Sequence, residues 1–487
     1  MTLMQLAAVL PDAKIPPAAL SLEVGGVAND SRLVRRGDVF VAIRGEKADG
    51  LSYVPDALAR GAVAVVSDRP AIPGIAAAWI RVSKPRRALA LLAARLAGDP
   101  SERLVLAGVT GTNGKTTTTA LLEAILERRY GRAGFLGTVG YRTPRREVPA
   151  GRTTPEAPLI QSLLAEMVEE GATAAAIEVS SHALALDRIE GCRFDVAVFT
   201  NLTRDHLDFH SDMESYYAAK RRLFELRKPG APGVVNVDDP FGRRLLSEAA
   251  PPIVGFSPSG GPADFRAESV CSDLTGTTFH LVHPGGRLPI ASPLLGRFNV
   301  GNLLAAAAAG IRLGIRPEDV AAALATVARV PGRLERVEAG QPYVVLVDYA
   351  HTPDALERLL TAVRELSDKT LILVFGCGGD RDRGKRRPMG EIAGRLSDIP
   401  IVTSDNPRSE DPEAILRDVE EGLRASGARK YLKIADRREA IRHAIELANS
   451  GTVVVLAGKG HESTQVVGAR EIPFDDRKVA ADFAGRR

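Results

Sequence analysis

The chain has 487 residues, which at about 150 residues per domain predicts about three domains. Its 64 basic and 60 acidic residues leave a formal charge of +4, and so small an excess disfavours a surface built to bind nucleic acid. A hydrophobic content of 45% and a charged content of 25% exclude a collagen-like or wholly disordered chain. Aromatic residues make up only 5%, which favours helices packed on parallel sheets, the pattern of an α/β enzyme.

The sequence predicts a cytoplasmic protein. The N-terminal stretch MTLMQLAAVLPDAK lacks a basic start and its apolar run ends at Pro11, so we expect an amphipathic first helix and not a signal peptide. The Ala-rich residues 302–311 are far shorter than the ~20 apolar residues of a membrane span. The three cysteines form no CxxC pair, which argues against a disulfide framework or a zinc ribbon and indicates a reducing compartment.

Strand-like apolar runs alternate with helix-like segments, the pattern of βαβ units and a parallel sheet. The predicted strands are, in chain order, residues 104–109, 174–179, 195–200, 343–348, 371–375, 399–403 and 452–457. Turn-forming breaks at residues 98–101 and 330–332 divide the chain into predicted domains 1–100, 101–330 and 331–487. No internal repeat is evident.

Most polar or Gly-rich clusters follow directly after a predicted strand. They are residues 111–116, 178, 201–206, 348, 376–387, 405–408 and 458–462. Because ligands of open α/β sheets bind at the carboxyl edge of the strands, these clusters are candidates for one site or for two facing sites.

The first cluster, Thr-Gly-Thr-Asn-Gly-Lys-Thr at 110–116, predicts a phosphate-binding loop. It lies between a strand and a helix whose apolar face carries Leu121, Leu122, Ile125 and Leu126. In such a loop, glycines let backbone amides approach phosphate oxygens, Lys115 reaches the phosphates and Thr116 holds Mg2+. The spacing departs from G-x4-G-K-[ST], because Val109 stands where the first Gly would be. We therefore predict ATP binding. The loop alone does not indicate which reaction uses the ATP.

For the other candidate site residues, the sequence pattern alone also allows ordinary structural roles. Glu178 could be a capping carboxylate at a strand end, and a lone histidine such as His206 is more often structural. Ser211 and Glu214 are predicted to form a capping box at the start of a helix that carries Lys220. A lysine on a helix is usually solvated.

The loop GTNGKTT resembles that of the Mur ligases, the ATP-dependent amide-bond enzymes of peptidoglycan precursor synthesis, and of their folylpolyglutamate synthetase relatives. Within that family, colinear motifs across nearly the whole chain resemble the members that add the third residue of the stem peptide. These motifs are residues 30–32, 37–42, 153–155, 178–182, 201–208, 348–353 and 376–381. The sequence Asp-Asn-Pro-Arg at 405–408 resembles the signature of the diaminopimelate-specific members.

The resemblance implies an α/β fold of three domains: an N-terminal UDP-binding domain, a central P-loop ATPase-like domain with a mostly parallel sheet, and a C-terminal Rossmann-like domain. It implies that ATP activates a D-Glu carboxylate of UDP-MurNAc-L-Ala-D-Glu as an acyl phosphate, which the amine of meso-diaminopimelate then displaces. The implied cofactors are Mg2+ and a carbamate on Lys220, which converts that ammonium into an anionic metal ligand. Catalytic roles are implied for Lys115, Glu178, His206 and Lys220, with Thr116, Glu178, His206 and carbamylated Lys220 as metal ligands.

The resemblance also implies three binding sites. The implied ATP site comprises Gly111, Thr112, Asn113, Gly114, Lys115, Thr116, Thr117, Asn299, Arg333, Asp348 and His351. The implied UDP-MurNAc-dipeptide site comprises Ser31, Glu46, Lys47, Ala48, Thr153, Thr154, Ser180 and Arg188. The implied diaminopimelate site comprises Arg381, Asp405, Asn406, Pro407, Arg408, Gly458 and Glu462. Leu186 and Arg152 stand where some relatives carry Gln and Asn, which leaves those two contacts open.

The planar fork of Arg408 suits the extra carboxylate that distinguishes diaminopimelate from L-lysine, and Glu462 suits the distal ammonium. Three alternatives stay open: a ligase of the same fold that adds L-lysine, a folylpolyglutamate synthetase, and a P-loop ATPase switch or regulatory ATP-binding module. We expect a monomer, with no nucleic-acid partner and no membrane span. Because Lys115 and Asp348 fall in different predicted domains and both are assigned to ATP, domain closure over the nucleotide is also expected.

Overall fold

The computed structural model describes residues 1–45 and 48–485. The first element is a short helix, α1 (Leu3–Ala7), which buries Leu3 and Leu6 as the amphipathic pattern predicts. The N-terminal region then builds a four-stranded, all-parallel sheet in the order β1-β2-β3-β4. Its elements are β1 (Gly26–Ala28), β2 (Asp38–Val41), α2 (Val54–Ala59), β3 (Ala64–Ser67), β4 (Ala78–Arg81) and α3 (Pro85–Leu96).

The middle of the chain contributes an eleven-stranded sheet. Its strands are β5 (Val105–Thr110), β6 (Ala133–Gly137), β7 (Gly140–Arg142), β8 (Glu147–Val148), β9 (Ala174–Glu178), β10 (Val196–Phe199), β11 (Gly233–Asn236), β12 (Ile253–Ser257), β13 (Phe265–Asp273), β14 (Gly276–His283) and β15 (Gly286–Ser292). The strand order is β15-β14-β13-β12-β11-β10-β5-β9-β6-β7-β8. The pairs from β12 through β6 are parallel, whereas β7 and β8 pair antiparallel.

Helices of this region connect and cover the strands. They are α4 (Lys115–Tyr130), α5 (Ala157–Glu169), α6 (Ser181–Ala185), α7 (Met213–Glu225), α8 (Pro240–Glu248), α9 (Phe298–Arg312) and α10 (Pro317–Thr326). The central strands β5, β9 and β10 are buried along nearly their whole length, as expected for parallel strands covered on both faces. Their carboxyl ends therefore carry the residues that can meet a ligand.

The C-terminal region forms a six-stranded sheet in the order β16-β17-β21-β18-β19-β20 and a separate hairpin of β22 and β23. The strands are β16 (Glu335–Val337), β17 (Val344–Asp348), β18 (Thr370–Phe375), β19 (Ile399–Val402), β20 (Leu432–Lys433), β21 (Thr452–Ala457), β22 (Thr464–Val467) and β23 (Arg470–Pro473). The helices are α11 (Pro353–Leu366), α12 (Arg386–Leu396), α13 (Pro412–Ala425), α14 (Arg437–Leu447) and α15 (Asp476–Ala484). Only β16 pairs antiparallel within the six-stranded sheet.

The chain divides into two compact units. The first comprises residues 1–268, 280–289 and 301–324, and the second comprises residues 269–279, 290–300 and those from 325 onward. Apolar clusters cover both faces of the N-terminal sheet and both faces of the six-stranded sheet. A further cluster packs around the central strands. The predicted limits at residues 100 and 330 stay predictions.

The α/β class is confirmed, and each of the seven predicted strands is present with ends that agree within one residue. The predicted capping box is wrong. Helix α7 begins after Asp212, whose carboxylate accepts a hydrogen bond from Ser215 N at 2.7 Å, while the Ser211 hydroxyl contacts the Ser215 hydroxyl instead. A carboxylate at the N-cap also faces the positive end of the helix dipole, which a serine cannot exploit as well. Across the described ranges, no helix combines the length and the apolar character that crossing a membrane requires.

Candidate functional site

The predicted phosphate loop is a tight connection between β5 and α4. Strand β5 ends at Thr110 and α4 begins at Lys115, with Gly114 as its N-cap. Gly111 and Gly114 have φ angles of 154° and 84°, the region that favours glycine. A Cβ atom at Gly111 would overlap the Thr200 hydroxyl, and one at Gly114 would overlap the Asn302 amide oxygen. Both glycines are therefore required for the loop to close at the N-terminus of α4, where an anion is favoured.

The residues after β10 hold this loop in shape. Asn201 accepts a hydrogen bond from Asn113 N at 2.9 Å through its side chain and another from Thr112 N at 2.9 Å through its carbonyl. The Asn201 amide donates back to Asn113 O at 3.1 Å. The residue that follows the neighbouring strand thus fixes the backbone of the loop through three hydrogen bonds.

Two lysines meet the carbonyls of the loop. Lys115 Nζ donates to Gly111 O and Thr112 O, both at 2.9 Å, and Lys220 Nζ donates to Gly111 O at 2.7 Å. The side chain of Lys220 is 1% exposed, so the ordinary solvated role does not apply. Burial lowers the pKa of Lys220 well below its usual value, and the charge of Lys115 lowers it further.

Tyr216 connects Lys220 to the loop. Lys220 Nζ lies over the Tyr216 ring, 4.6 Å from its centre, and the Tyr216 hydroxyl lies 3.2 Å from Thr112 Oγ1. Burial raises the pKa of Tyr216 to about 12, so the phenol keeps its proton at neutral pH. The sequence predicts Tyr216 only as a residue in the first turns of a helix. A tyrosine one helical turn before Lys220 was the available signal.

Glu178 ends β9 as a fully buried carboxylate beside the loop. Thr116 Oγ1 donates to Glu178 Oε2 at 3.1 Å. Thr138 donates its backbone N–H to Oε1 at 2.8 Å and its hydroxyl to Oε2 at 3.0 Å. Thr138 was not predicted from the sequence. A hydroxyl and a carboxylate side by side beneath a phosphate loop are the hard oxygen donors that Mg2+ prefers, so these residues fit the ion.

The described part of the chain contains no group of three or more His, Cys, Asp or Glu side chains that could hold a metal ion. Mg2+ is commonly held by one or two carboxylates together with substrate phosphates and water. Thr116 and Glu178 therefore constitute a partial ligand set of the kind that a nucleotide completes.

His206 lies in a loop with a φ angle of 53° and is 44% exposed. Its Nε2 atom lies 3.5 Å from Asp205 Oδ2. Burial lowers the pKa of His206, and Asp205 opposes that shift. The His206 ring lies 4.9 Å from that of His182 and 6.2 Å from that of Tyr216. The structure thus brings His206 to the residues around Lys220, while its role as a metal ligand stays a prediction.

Four residues predicted to bind the dipeptide end of the UDP substrate converge at the carboxyl end of β9. Thr154 Oγ1 donates to Glu178 O at 2.7 Å and accepts a hydrogen bond from Ser180 N at 3.0 Å. Arg188 NH1 donates to Thr154 O at 3.2 Å, and the Thr153 hydroxyl lies 3.0 Å from that of Thr138. These four side chains therefore lie next to the predicted metal ligands.

Arg152 and Leu186, whose contacts the sequence leaves open, both have local partners. Arg152 forms an ion pair with Glu156 at 2.5 Å, and Glu156 also binds Arg188 at 2.9 Å. Leu186 N donates to His182 O as the C-cap of α6.

The N-terminal residues predicted to bind UDP are only partly described. Ser31 is buried and begins a 3-10 turn that the Asp30 carboxylate caps by accepting from Arg32 N at 3.0 Å. Ala48 O accepts from Gly45 N at 2.9 Å. Glu46 and Lys47 lie outside the described residues. No backbone–backbone hydrogen bond in the described ranges joins Ser31 or Ala48 to the group around Thr154.

In the second unit, three residues of the predicted ATP site, Arg333, Asp348 and His351, lie at or next to Tyr349. Asp348 accepts hydrogen bonds from Leu334 N at 2.7 Å and Ala350 N at 2.9 Å, and burial raises its pKa. His351 Nδ1 lies 2.9 Å from Tyr349 O, and the Arg333 guanidinium lies 5.5 Å from the centre of the Tyr349 ring. Asn299, also predicted, is buried and donates to Leu295 O at 2.7 Å.

The predicted diaminopimelate residues come from loops that follow β18, β19 and β21. Arg408 has a φ angle of 52° and donates from NH1 to Gly379 O at 2.8 Å. Asn406 Nδ2 donates to Glu462 Oε2 at 3.0 Å, which joins residues far apart in the sequence. Arg381 is exposed and donates to Asp380 O at 3.1 Å.

Gly458 and Pro407 complete this group of predicted residues. A Cβ atom at Gly458 would lie 3.6 Å from Asp405 Oδ2, at a φ angle of 116° that favours glycine. Pro407 O lies so close to Gly379 that a side chain there would clash. The sequence did not assign Lys459, which contacts three members of the set. A lysine between two glycines directly after a fully buried strand was the available signal.

A glycine loop between a buried strand and a helix, with a lysine, a threonine and a buried carboxylate at its end, defines a phosphate-binding protein of the α/β class. Family models agree along the chain. Residues 23–96 match the Mur ligase family catalytic domain, residues 109–310 the Mur ligase middle domain, and residues 332–460 the Mur ligase glutamate ligase domain.

Individual relatives match the chain over nearly its full length. The UDP-N-acetylmuramoyl-L-alanyl-D-glutamate--2,6-diaminopimelate ligase of Geobacter metallireducens is 49% identical over 96% of this chain and 95% of its own. The enzyme of the same name from Solibacter usitatus is 47% identical over 98% of both chains. A solved structure with this name has a TM-score of 0.74 at 35% identity and covers 100% of this chain and 99% of that chain. The chain belongs to the Mur ligase family.

A more distant solved structure shares the fold alone. The MurF ligase of Thermotoga maritima in complex with ADP has a TM-score of 0.63 at 20% identity, over 96% of this chain and 97% of that one. The shared fold is the three-domain α/β architecture of the family.

Proposed function

We propose that the protein is an ATP-dependent ligase that joins meso-diaminopimelate to the D-Glu residue of UDP-MurNAc-L-Ala-D-Glu, releasing ADP and phosphate in peptidoglycan precursor synthesis. Family membership makes the chain an ATP-dependent amide ligase. The observation that carries the choice of substrate is the agreement, over nearly the full length, with ligases named for 2,6-diaminopimelate.

The proposed reaction has two steps. A D-Glu carboxylate oxygen attacks the γ-phosphorus of ATP, and the bond from that phosphorus to the bridging oxygen breaks to release ADP. The diaminopimelate amine then attacks the acyl carbon, loses a proton, and expels phosphate. Negative charge moves between oxygens in both steps, so positioned cations and hydrogen-bond donors are needed more than a nucleophilic side chain.

Lys115 and the amides of residues 111–116 are suited to the phosphates. Thr116 and Glu178 would hold Mg2+, which when bound neutralises charge on the phosphate oxygens. Thr154, Ser180 and Arg188 lie beside Glu178, where hydroxyls and a guanidinium suit the peptide carboxylates. This proximity supports the assignment of the acceptor carboxylate to the same edge of the sheet as the phosphates.

We further propose that Lys220 carries a carbamate and serves, with His206, a second metal ion. Carbamate forms when a neutral amine attacks carbon dioxide and loses a proton. The burial of Lys220 and the neighbouring charge of Lys115 lower its pKa, which provides the neutral amine that this step requires. Labelled bicarbonate should give a carbamate signal in the carbon NMR spectrum, and the Lys220→Ala variant should lack it. A signal of equal size in the variant would contradict the assignment.

Selectivity for diaminopimelate is proposed to rest on Arg408 and Glu462. The guanidinium can bind a carboxylate with two parallel hydrogen bonds, and an unpaired fork in a lysine complex would be costly, so discrimination of about 10^4 is expected. The lysine-adding alternative predicts no such preference. The regulatory-module alternative explains residues 111–116 but not residues 405–408, and the folylpolyglutamate alternative assigns no role to the region of Ser31.

Three further elements belong to the proposal. The domain limits near residues 100 and 330 separate the predicted UDP-binding, ATPase and amino-acid-binding domains. The protein acts as a monomer, and it acts in the cytoplasm. Gel filtration with light scattering and cell fractionation test the last two statements.

Isotope transfer tests the proposed chemistry. With heavy-isotope oxygen in the D-Glu carboxylates of UDP-MurNAc-L-Ala-D-Glu, one labelled oxygen should leave in the released phosphate, because the acyl C–O bond breaks in the second step. Continued ADP formation beyond one turnover should require both the UDP substrate and an amino acid, because the acyl phosphate made in the first step is consumed only in the second. Rapid ATP hydrolysis without either would favour the regulatory-module alternative.

A further inference from the structure

Lys459 is a fully buried lysine that follows β21 between Gly458 and Gly460. Its side chain is 0% exposed, and lysine is almost never so buried unless it is paired. It lies beside the residues proposed to bind the incoming amino acid, yet it would be too enclosed to serve as a surface charge. Its partners therefore indicate what it does.

All three polar partners of Lys459 in the described structure belong to the proposed diaminopimelate site. Lys459 Nζ donates to Asn406 Oδ1 at 3.1 Å and to Glu462 Oε2 at 3.1 Å, and it lies 3.7 Å from Asp405 Oδ1. Asn406 Nδ2 donates to the same Glu462 oxygen at 3.0 Å. Lys459, Asn406 and Glu462 thus form a closed triangle of hydrogen bonds, in which the lysine donates to the Asn406 oxygen and leaves Asn406 Nδ2 to face Glu462.

The same triangle is joined to the hairpin of β22 and β23. Val466 N donates to Asn406 Oδ1 at 2.9 Å, and Gln465 Nε2 donates to Asp405 O at 2.6 Å. Arg408 N donates to Val466 O at 3.1 Å. A cation that fixes Asn406 therefore also affects the loop that carries Arg408.

Within the cluster of Lys459, Asp405 and Glu462, two carboxylates face one lysine. The buried Arg437 is paired with Asp476 at 2.6 Å, which leaves Lys459 opposite both Asp405 and Glu462. Burial raises the pKa of Asp405, and the charges of Arg437 and Lys459 oppose that rise. When both carboxylates are ionised, one negative charge is left over. An incoming ammonium group has the opposite charge and would complete the set.

We propose that Lys459 is a positioning residue for the amino-acid substrate: it holds Glu462 and Asn406 in the orientation that receives the distal ammonium of diaminopimelate. It acts through these two side chains and does not itself need to touch the substrate. In metal sites, outer partners that orient the ligands typically change affinity or activity by 10- to 100-fold when they are removed, and we expect an effect of the same order here. This inference rests on the proposed function, because it assumes that diaminopimelate is the substrate.

The test compares three variants of the full-length enzyme: Lys459→Met, Glu462→Gln, and the two combined. With ATP and the UDP substrate saturating, Lys459→Met should raise KM for diaminopimelate by ~10- to 100-fold and leave KM for ATP within about twofold. The double variant should be no worse than Glu462→Gln, because the effect of Lys459 on the carboxylate is then already lost and Val466 N still holds the Asn406 amide through its bond to Asn406 Oδ1. Lys433→Met is the matched control, since Lys433 binds Glu420 at 3.2 Å in the same unit and is 34% exposed. It should leave both KM values unchanged.

Equal increases in KM for diaminopimelate and ATP, or fully additive losses in the double variant, would show that Lys459 is only structural and would overturn the inference. If Lys459→Met does not fold, the double variant decides. Its Glu462→Gln change also removes the carboxylate that loses its lysine partner in Lys459→Met. Equality of the double variant with Glu462→Gln supports the inference, and a further loss contradicts it. Wild-type turnover that does not depend on diaminopimelate would instead overturn the proposed function.

Discussion

The phosphate loop at residues 111–116 and the amino-acid loop at residues 405–408 both follow buried parallel strands, but they are built differently. Two positive-φ glycines set the backbone path of the first, and hydrogen bonds from Lys115, Lys220 and Asn201 to its carbonyls hold that path. Side-chain contacts shape the second, and they join residues more than 50 positions apart. A short motif therefore suffices to define the first site, whereas the second depends on distant packing.

The largest effect is expected at Lys220. Its substitution is the one proposed here that removes a distant side chain from the phosphate loop. Lys220→Ala removes the group that contacts Gly111 O at 2.7 Å and that we propose becomes an anionic metal ligand. We expect a loss of turnover of ~10^2- to 10^3-fold, the cost that is typical of removing one charge-stabilising group. Initial rates of phosphate release would measure it.

Bicarbonate and a surface control distinguish carbamylation from damage to the fold. Bicarbonate should raise the activity of a weakly carbamylated wild-type preparation and should not rescue Lys220→Ala. Arg221→Ala changes the neighbouring, 44% exposed residue of the same helix and should keep nearly full activity. Full activity in Lys220→Ala would refute the assignment.

Arg408→Ala tests whether the amino-acid loop can be damaged without a change in ATP binding. Loss of a hydrogen bond to a charged group costs about 1.5–3 kcal/mol, so kcat/KM for diaminopimelate should fall by roughly 10- to 100-fold. KM for ATP should change little. Arg417→Ala, at a position 61% exposed, should leave both unchanged. An equal loss of ATP affinity in Arg408→Ala would contradict the separation of the two sites.

The smallest effect is expected at Tyr216. Tyr216→Phe removes the hydroxyl 3.2 Å from Thr112 Oγ1 and keeps the ring beneath Lys220. A neutral hydrogen bond contributes about 0.5–1.5 kcal/mol, so KM for ATP should rise by roughly two- to tenfold.

The adjacent Tyr217 provides a control with the same chemical change. Its hydroxyl donates to Glu248 at 2.8 Å, away from the loop, so Tyr217→Phe should lower the melting temperature slightly without a change in KM for ATP. Similar KM changes in both variants would mean that Tyr216 acts only through general stability.

The sequence predicts what is local. Apolar runs predict the strands, and the order strand, glycine loop, helix predicts the site at residues 111–116, because both signals lie within a few residues. The capping residue of α7 is missed by one position, since Ser211 and Asp212 can both accept a backbone hydrogen bond and only the folded backbone selects between them.

The remaining features depend on contacts that no local pattern encodes. Lys220 resembles a solvated helix lysine until the fold brings it to Gly111, 109 positions earlier. Thr138 reaches Glu178 across 40 positions, and Lys459 reaches Asn406 across 53. Family motifs indicate Lys220 and Asn406, but the side chains that orient them become evident only in the folded structure.

The identity of the amino acid in the product decides whether this ligase adds diaminopimelate. The most direct measurement is phosphate release from ATP with UDP-MurNAc-L-Ala-D-Glu, comparing meso-diaminopimelate with L-lysine, followed by mass spectrometry of the product. We predict turnover with diaminopimelate at a kcat/KM about 10^4-fold above that with lysine, and a product mass that contains diaminopimelate. Comparable turnover with lysine would contradict the specificity assigned to Arg408, and no turnover with either amino acid would contradict the ligase function itself.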